Sequence, residues 1–164
     1  MDIISIVPSL FTPEYCQSII DKYNVKEFQG NDLVYFGEYK NYGIKKRNID
    51  AEDLNNILLS LNLSPNVCDS ANIVYYPEGS YNGLHMDNSV IKDGEVVRVK
   101  SWNATVIVFL NSNFNSGELV YPYQGVSIKP TIGTAVIAPA GPEFVHEVKE
   151  VLLGERYTLV LRII

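Results

Sequence analysis

Tyr75-Tyr76-Pro77-Glu78-Gly79-Ser80-Tyr81, running on through Asn82-Gly83-Leu84 to His85-Met86-Asp87, reads as an aromatic β-strand, a turn punctuated by Pro and Gly, and a second strand. Successive side chains on a strand alternate faces, so residues i and i+2 share one, and His85 and Asp87 can converge on a single ion. A His-x-Asp taken alone is a weak signal, better explained by a surface strand pair. The chain has only one other histidine, His146, and Arg156 follows it. Working outward, Val67–Tyr76, Ala104–Leu110, Leu119–Tyr123, Thr134–Ala138 and Tyr157–Ile164 are all rich in β-branched and aromatic residues. Asp93-Gly94, Asn115-Ser116-Gly117, Gly133 and Pro139-Ala140-Gly141-Pro142 divide them with good turn chemistry. Short strands at close intervals suggest a sandwich or jelly roll.

The first part of the chain carries helix signals instead. Thr12-Pro13 has the form of an N-cap followed by proline at the first helical position, with Tyr15, Cys16, Ile19, Ile20 and Tyr23 as one apolar stripe. Asp50 is placed to cap a second helix carrying Leu54, Ile57, Leu58 and Leu61. The expectation is a mainly β fold with flanking N-terminal helices, a double-stranded β-helix (jelly roll, cupin-like). It would form a single domain over 1–164, with helical support in 1–66 and the jelly-roll core in 67–164. Lys92-Asp93-Gly94-Glu95 reads as a hairpin turn after the His-x-Asp strand. Leu33–Arg47 is aromatic and then basic, and reads either as a substrate lid carrying Tyr35, Phe36, Tyr39 and Tyr42 or as a strand pair with a charged edge.

Composition narrows the classes. At 164 residues, with 46% hydrophobic and 20% charged residues, the chain describes one ordinary globule. A net charge of −6 argues against a broad nucleic-acid surface. Two cysteines without a pattern do not make a disulfide framework, and a cytoplasmic setting is expected. Met1-Asp2-Ile3-Ile4-Ser5 lacks a basic segment and a long apolar core, so no signal peptide is expected, and no run is long enough to span a bilayer.

Two imidazoles and one carboxylate on one side of a metal form the facial triad of non-haem Fe(II) oxygenases. With this triad the other motifs fall into order: Val108-Phe109-Leu110-Asn111, Ser116-Gly117-Glu118-Leu119, Pro130-Thr131-Ile132-Gly133, His146-Glu147-Val148 and Gly154-Glu155-Arg156-Tyr157. From about Asn72 to the C-terminus the chain resembles the 2-oxoglutarate and Fe(II)-dependent oxygenases, and within them the prolyl 4-hydroxylase-like branch. The resemblance implies Fe(II) held by His85, Asp87 and His146, with 2-oxoglutarate and O₂ as co-substrates and ascorbate as an accessory. It implies hydroxylation of a substrate C–H bond, with 2-oxoglutarate decarboxylated to succinate.

The resemblance also distributes roles. Arg156 is the partner for the distal carboxylate of 2-oxoglutarate, since its planar fork binds a carboxylate bidentately. Thr158 shares its strand face, and its hydroxyl is placed to help. Tyr76 matches a family tyrosine that faces the co-substrate or metal, and Leu119 an apolar residue packed on the co-substrate. Asn72 shares the parity of Tyr76, whereas Tyr75 points to the opposite face, into the core. Phe109 stands where some relatives have tyrosine. Arg162 stands where prolyl hydroxylases usually have tryptophan; an inward arginine needs a carboxylate partner or faces an acidic group on the substrate. Arg162, Tyr39 and Tyr42 are therefore candidate substrate residues.

The expected substrate is a peptidyl proline, with a free amino acid or other small molecule as the alternative. A zinc hydrolase on the same ligands leaves Arg156 and Thr158 unexplained and lacks an evident general base. A silent jelly-roll binding module does not need an intact triad. A nucleic-acid demethylase runs against the acidic charge. No nucleic-acid or membrane partner is expected.

Overall fold

A computed structural model describes residues 3–33 and 39–164 of the chain. In chain order the elements are β1 (Ser5–Val7), α1 (Pro13–Tyr23), β2 (Asn41–Tyr42), β3 (Lys45–Asn48), α2 (Ala51–Ser60), β4 (Cys68–Tyr76), β5 (Tyr81–His85), β6 (Ser89–Lys92), β7 (Glu95–Arg98) and β8 (Ala104–Phe109). They continue with β9 (Asn115–Ser116), β10 (Leu119–Tyr121), β11 (Val126–Ile128), β12 (Ala135–Pro139), β13 (His146–Val148), β14 (Val151–Leu153) and β15 (Arg156–Ile163). A major sheet of order β1-β12-β8-β15-β4-β3 faces a minor sheet of order β11-β10-β13-β5-β2. All their pairings are antiparallel, giving the two-sheet jelly roll expected from the turn-divided strands.

Strand parity gives the major sheet two cores. Ile73, Tyr75, Val106, Val108, Tyr157, Leu159 and Leu161 point to one side and pack with Cys16, Ile19 and Tyr23 of α1 and Ile57 and Leu58 of α2. Val74, Tyr76, Ile107, Phe109, Val136 and Val160 point to the other side and meet Leu119, Tyr121 and Val148 of the minor sheet. The helices therefore cover the outer face and leave the inner face to the site.

The helix starts follow their capping chemistry. Thr12 Oγ1 accepts from Tyr15 N at 3.2 Å, ahead of Pro13. Asp50 Oδ1 accepts from Asp53 N at 2.9 Å. Such caps are each worth about 1 kcal/mol. No helix among the described residues is long and apolar enough to cross a membrane.

The division into a helical 1–66 and a β-rich 67–164 needs correction. β1 and β3 form the two edges of the major sheet and β2 an edge of the minor one, all three from the first part of the chain. They are short, and β3, Lys45-Lys46-Arg47-Asn48, has no apolar residue to show alternation. In the described part of Leu33–Arg47, β2 and β3 do not form a strand pair but lie at the edges of different sheets, β2 on β5 and β3 on β4; Tyr35 and Phe36 lie outside the described residues. The expected hairpin is present as β6–β7, with Asp93 (φ 52°) and Gly94 (φ 80°) both left-handed at its tip, as a two-residue type I′ turn requires.

Candidate metal centre

β5 and β13 are hydrogen-bonded neighbours in the minor sheet, and His85 stands directly opposite His146 in their register. That pairing brings together two residues far apart in sequence, with ring centroids 4.3 Å apart. Asp87, just past the end of β5, lies beneath both: its Oδ1 is 3.8 Å from His85 Nε2 and its Oδ2 is 3.6 Å from His146 Nε2. The three ligand atoms all lie within 4.8 Å of one another. His85 Nδ1 sits 2.7 Å from Gly83 O and His146 Nδ1 3.0 Å from Phe144 O. With a carbonyl at each Nδ1, the tautomer that a metal ligand needs carries its proton there and leaves both Nε2 lone pairs for an ion.

The electrostatics suit ligation. Burial and the neighbouring His146 push the His85 imidazole down to about 3, so it is neutral and able to ligate. Burial opposes ionisation of Asp87, but Arg162, the two imidazoles and the Thr105 hydroxyl outweigh it and hold the carboxyl well below its usual range. Thr105 donates to Asp87 Oδ2 at 2.7 Å, and Arg162 Nη2 lies 3.0 Å from Oδ1. This answers the requirement that an inward arginine find a carboxylate.

Arg156 opens β15, paired with Tyr76 of β4. It is 1% exposed, yet Nη1 and Nη2 have no hydrogen-bond partner. Only Nε is held, donating to Gly117 O at 3.0 Å. The guanidinium lies 4.6 Å from the Tyr76 ring and 5.6 Å from that of Phe109. Burial presses against the Arg156 cation, the neighbouring Tyr76 only partly supports it, and both Nη atoms are left without an acceptor. Two buried N–H forks facing one cavity are costly without an acceptor, and a bidentate carboxylate satisfies both. Phe109, in place of tyrosine, supplies a ring rather than a hydroxyl.

The cavity beside Arg156 is also lined by Thr158, Leu119, Tyr76, His85 and His146. The residues expected at the co-substrate therefore surround one space with two of the three triad members. Arg162 lines it from the far side and is shared with an adjoining cavity lined by Tyr39, Trp102, Met86 and Asp87. Tyr39 stacks on His85 at 5.0 Å. Tyr42 is 63% exposed and stacks on Tyr81, away from these cavities. Asn72 bonds to Asn48 across β3–β4 instead of lining the pocket.

Three contributors escaped the sequence reading. Lys46 lines both cavities; it pairs with Val74, whose inward parity gives the signal once β3 is known. Thr105 stands opposite Arg162 in the β15–β8 register, and Trp102 stacks on Arg162 at 5.2 Å. Neither bears a motif of its own.

The donor set fits a divalent, N/O-ligated ion, and the orphaned Arg156 forks fit a dicarboxylate beside it. A family model for the 2OG-Fe(II) oxygenase superfamily matches residues 71–162. No curated protein matches in sequence. Among solved structures, a viral collagen prolyl hydroxylase from Paramecium Bursaria Chlorella virus-1, in a 2OG complex, is similar with a TM-score of 0.73 at 16% identity, covering 98% of this chain and 94% of that chain. A Pseudomonas putida prolyl-4-hydroxylase has a TM-score of 0.66 at 17% identity, covering 98% and 92%. A Trichoplax adhaerens prolyl hydroxylase, in complex with a hypoxia inducible factor oxygen degradation domain peptide fragment, has a TM-score of 0.72 at 22% identity, covering 98% and 82%.

Proposed function

Because this chain belongs to the 2OG-Fe(II) oxygenase superfamily and is a 2-oxoglutarate-dependent dioxygenase, we propose that it hydroxylates a C–H bond of a peptidyl proline. The observation that carries the co-substrate assignment is Arg156, a buried cation with two unsatisfied forks beside the triad. His85, Asp87 and His146 would hold Fe(II) on one face. When bound, Fe(II) and 2-oxoglutarate supply the O₂ activation, with 2-oxoglutarate converted to succinate.

The chain's own groups do the rest. Nδ1 anchoring fixes both imidazoles, and Thr105 fixes the Asp87 carboxylate. Arg156 binds and orients the distal carboxylate, with Thr158 alongside, while Leu119, Val148 and Ile107 exclude water from the co-substrate chain. A dry, pre-ordered site costs no reorganisation at the moment of reaction.

The peptide assignment draws on an apolar groove at the mouth, formed by Leu84, Met86, Val90, Ile91, Val96 and Tyr123 beside Tyr39 and His85. Exposed apolar side chains in a concave row are the usual lining of a ligand groove. The Trichoplax relative, a prolyl hydroxylase caught with a peptide, agrees with this reading. A free amino acid is the second reading, favoured by Arg162, which lines the inner cavity with an unpartnered Nη1. The hydrolase reading fails on chemistry: among the described residues lining these cavities the only carboxylate is Asp87, which is itself a ligand. Succinate formation with Fe(II), with and without proline-rich peptides, tests the proposal. Peptide-stimulated turnover and a product one oxygen atom heavier are expected; stimulation by free amino acids alone would reject the peptide.

A further inference from the structure

Arg162 and Lys46 approach the iron site from two strands, β15 and β3, and line the same cavity as His85 and Asp87. Arg162 spends Nη2 on Asp87 at 3.0 Å, while its Nη1 is buried with no acceptor. The Arg162 guanidinium lies over the Trp102 ring, 5.2 Å from its centroid. Lys46 is partly buried and has no ion-pair partner among the described residues. Burial and then Arg162 push its ammonium down to about 8, and only Asp87 supports its charge.

The charges of the loaded site can be counted. A divalent iron and Arg156 are balanced by Asp87 and the two carboxylates of 2-oxoglutarate. Arg162 and Lys46 are then left over, two like charges in a partly buried cavity, which is unfavourable without an anion between them. If Arg162 served only to neutralise Asp87, Lys46 would have no place in the pocket, since a second cation weakens the first.

We propose that Arg162 and Lys46 are the specificity-determining wall of the substrate pocket, and that the substrate carries a carboxylate close to the C–H bond that is hydroxylated. This rests on the oxygenase reading above. Arg162 touches a metal ligand directly, so a carboxylate bound at its free fork holds the neighbouring carbon within reach of the metal. A side-chain carboxylate next to a peptidyl proline and the carboxylate of a free acid share this chemistry.

The test is calorimetric binding to the Fe(II)- and 2-oxoglutarate-loaded protein without oxygen. Two probe pairs are compared: acetyl-Pro-Glu-amide against acetyl-Pro-Gln-amide, and N-acetyl-proline against its amide. The carboxylate member of at least one pair should bind at least about tenfold more tightly, and the pair that shows it distinguishes acidic peptide from free acid. Arg162→Gln and Lys46→Met should each reduce the preference to under about threefold. Lys46→Met is decisive if Arg162→Gln disturbs Asp87. Equal affinity within both pairs, or a preference that survives Lys46→Met, overturns the proposal. The Fe(II)–2-oxoglutarate absorption band of the unsubstituted protein separates the two levels. Its absence ends the oxygenase reading and this one together, whereas its presence without a carboxylate preference ends this one alone.

Discussion

Arg156 and His85 show how much a single buried group decides. Arg156 is enclosed by Tyr76 and Phe109 and tethered only through Nε, so its two free forks are already aimed before any ligand arrives. Arg156→Ala should weaken 2-oxoglutarate binding by about 100-fold or more, the order expected for one partner of a buried charge pair. Arg156→Lys should cost about tenfold, because a point charge replaces a fork. Titration of the Fe(II)–2-oxoglutarate absorption measures both, and unchanged midpoints would reject the pocket. For His85, burial and then His146 hold the folded-state value at about 3, against about 6.5 in an unfolded chain. As pH falls the unfolded chain takes up the proton first, so stability present above 6.5 is lost on the way down to about 3, by up to about 1.4 kcal/mol per pH unit. In metal-free protein the urea midpoint should fall across that window, and His85→Asn should flatten the dependence. Parallel curves for the two proteins would contradict the assigned neutral imidazole.

At the scale of elements, the turn between β9 and β10 serves the site directly. Ser116 (φ 64°) and Gly117 (φ 70°) are both left-handed, and the Gly117 carbonyl anchors Arg156. A Cβ on Gly117 would stand 3.1 Å from both Arg156 Cδ and Phe114 Cε2. Gly117→Ala should therefore cost roughly 1–2 kcal/mol in backbone strain and also weaken 2-oxoglutarate binding. Gly94→Ala, with φ 80° but nothing within 4 Å, is the control: it should lower Tm without touching affinity. Equal affinity losses in both would separate the turn from the site. This turn was legible in the sequence as Ser116-Gly117-Glu118-Leu119, and so were both helix caps and the long strands β4, β8 and β15, where alternation runs far enough to be read. β2 and β3 were not, because two polar residues or a basic run carry no period. Lys46 was missed for the same reason: its inward parity comes from pairing with Val74, a long-range contact that local sequence does not encode. The partner of Arg162 was anticipated only as a carboxylate; that it is Asp87 is again a long-range contact that local sequence does not encode.

Across the whole molecule the triad joins two layers. His85 and His146 belong to the minor sheet, while Asp87 is held by Thr105 of β8 and Arg162 of β15 in the major sheet. An ion taking all three ligands would clamp the sheets together, so metal binding should add to global stability and not merely to local order. With Mn(II) as a redox-silent substitute at 100 times its Kd, the gain is about 2.7 kcal/mol. That corresponds to roughly 5–10 °C in Tm for a chain of this size. Asp87→Asn should remove the gain while keeping a hydrogen-bonding group beside Arg162. Hydrogen exchange locates the effect: protection should rise on addition of Mn(II) in β5 and β13 and equally in β8 and β15. Protection confined to β5 and β13 would mean that the ion rests on the two histidines alone and that Asp87 remains with Arg162.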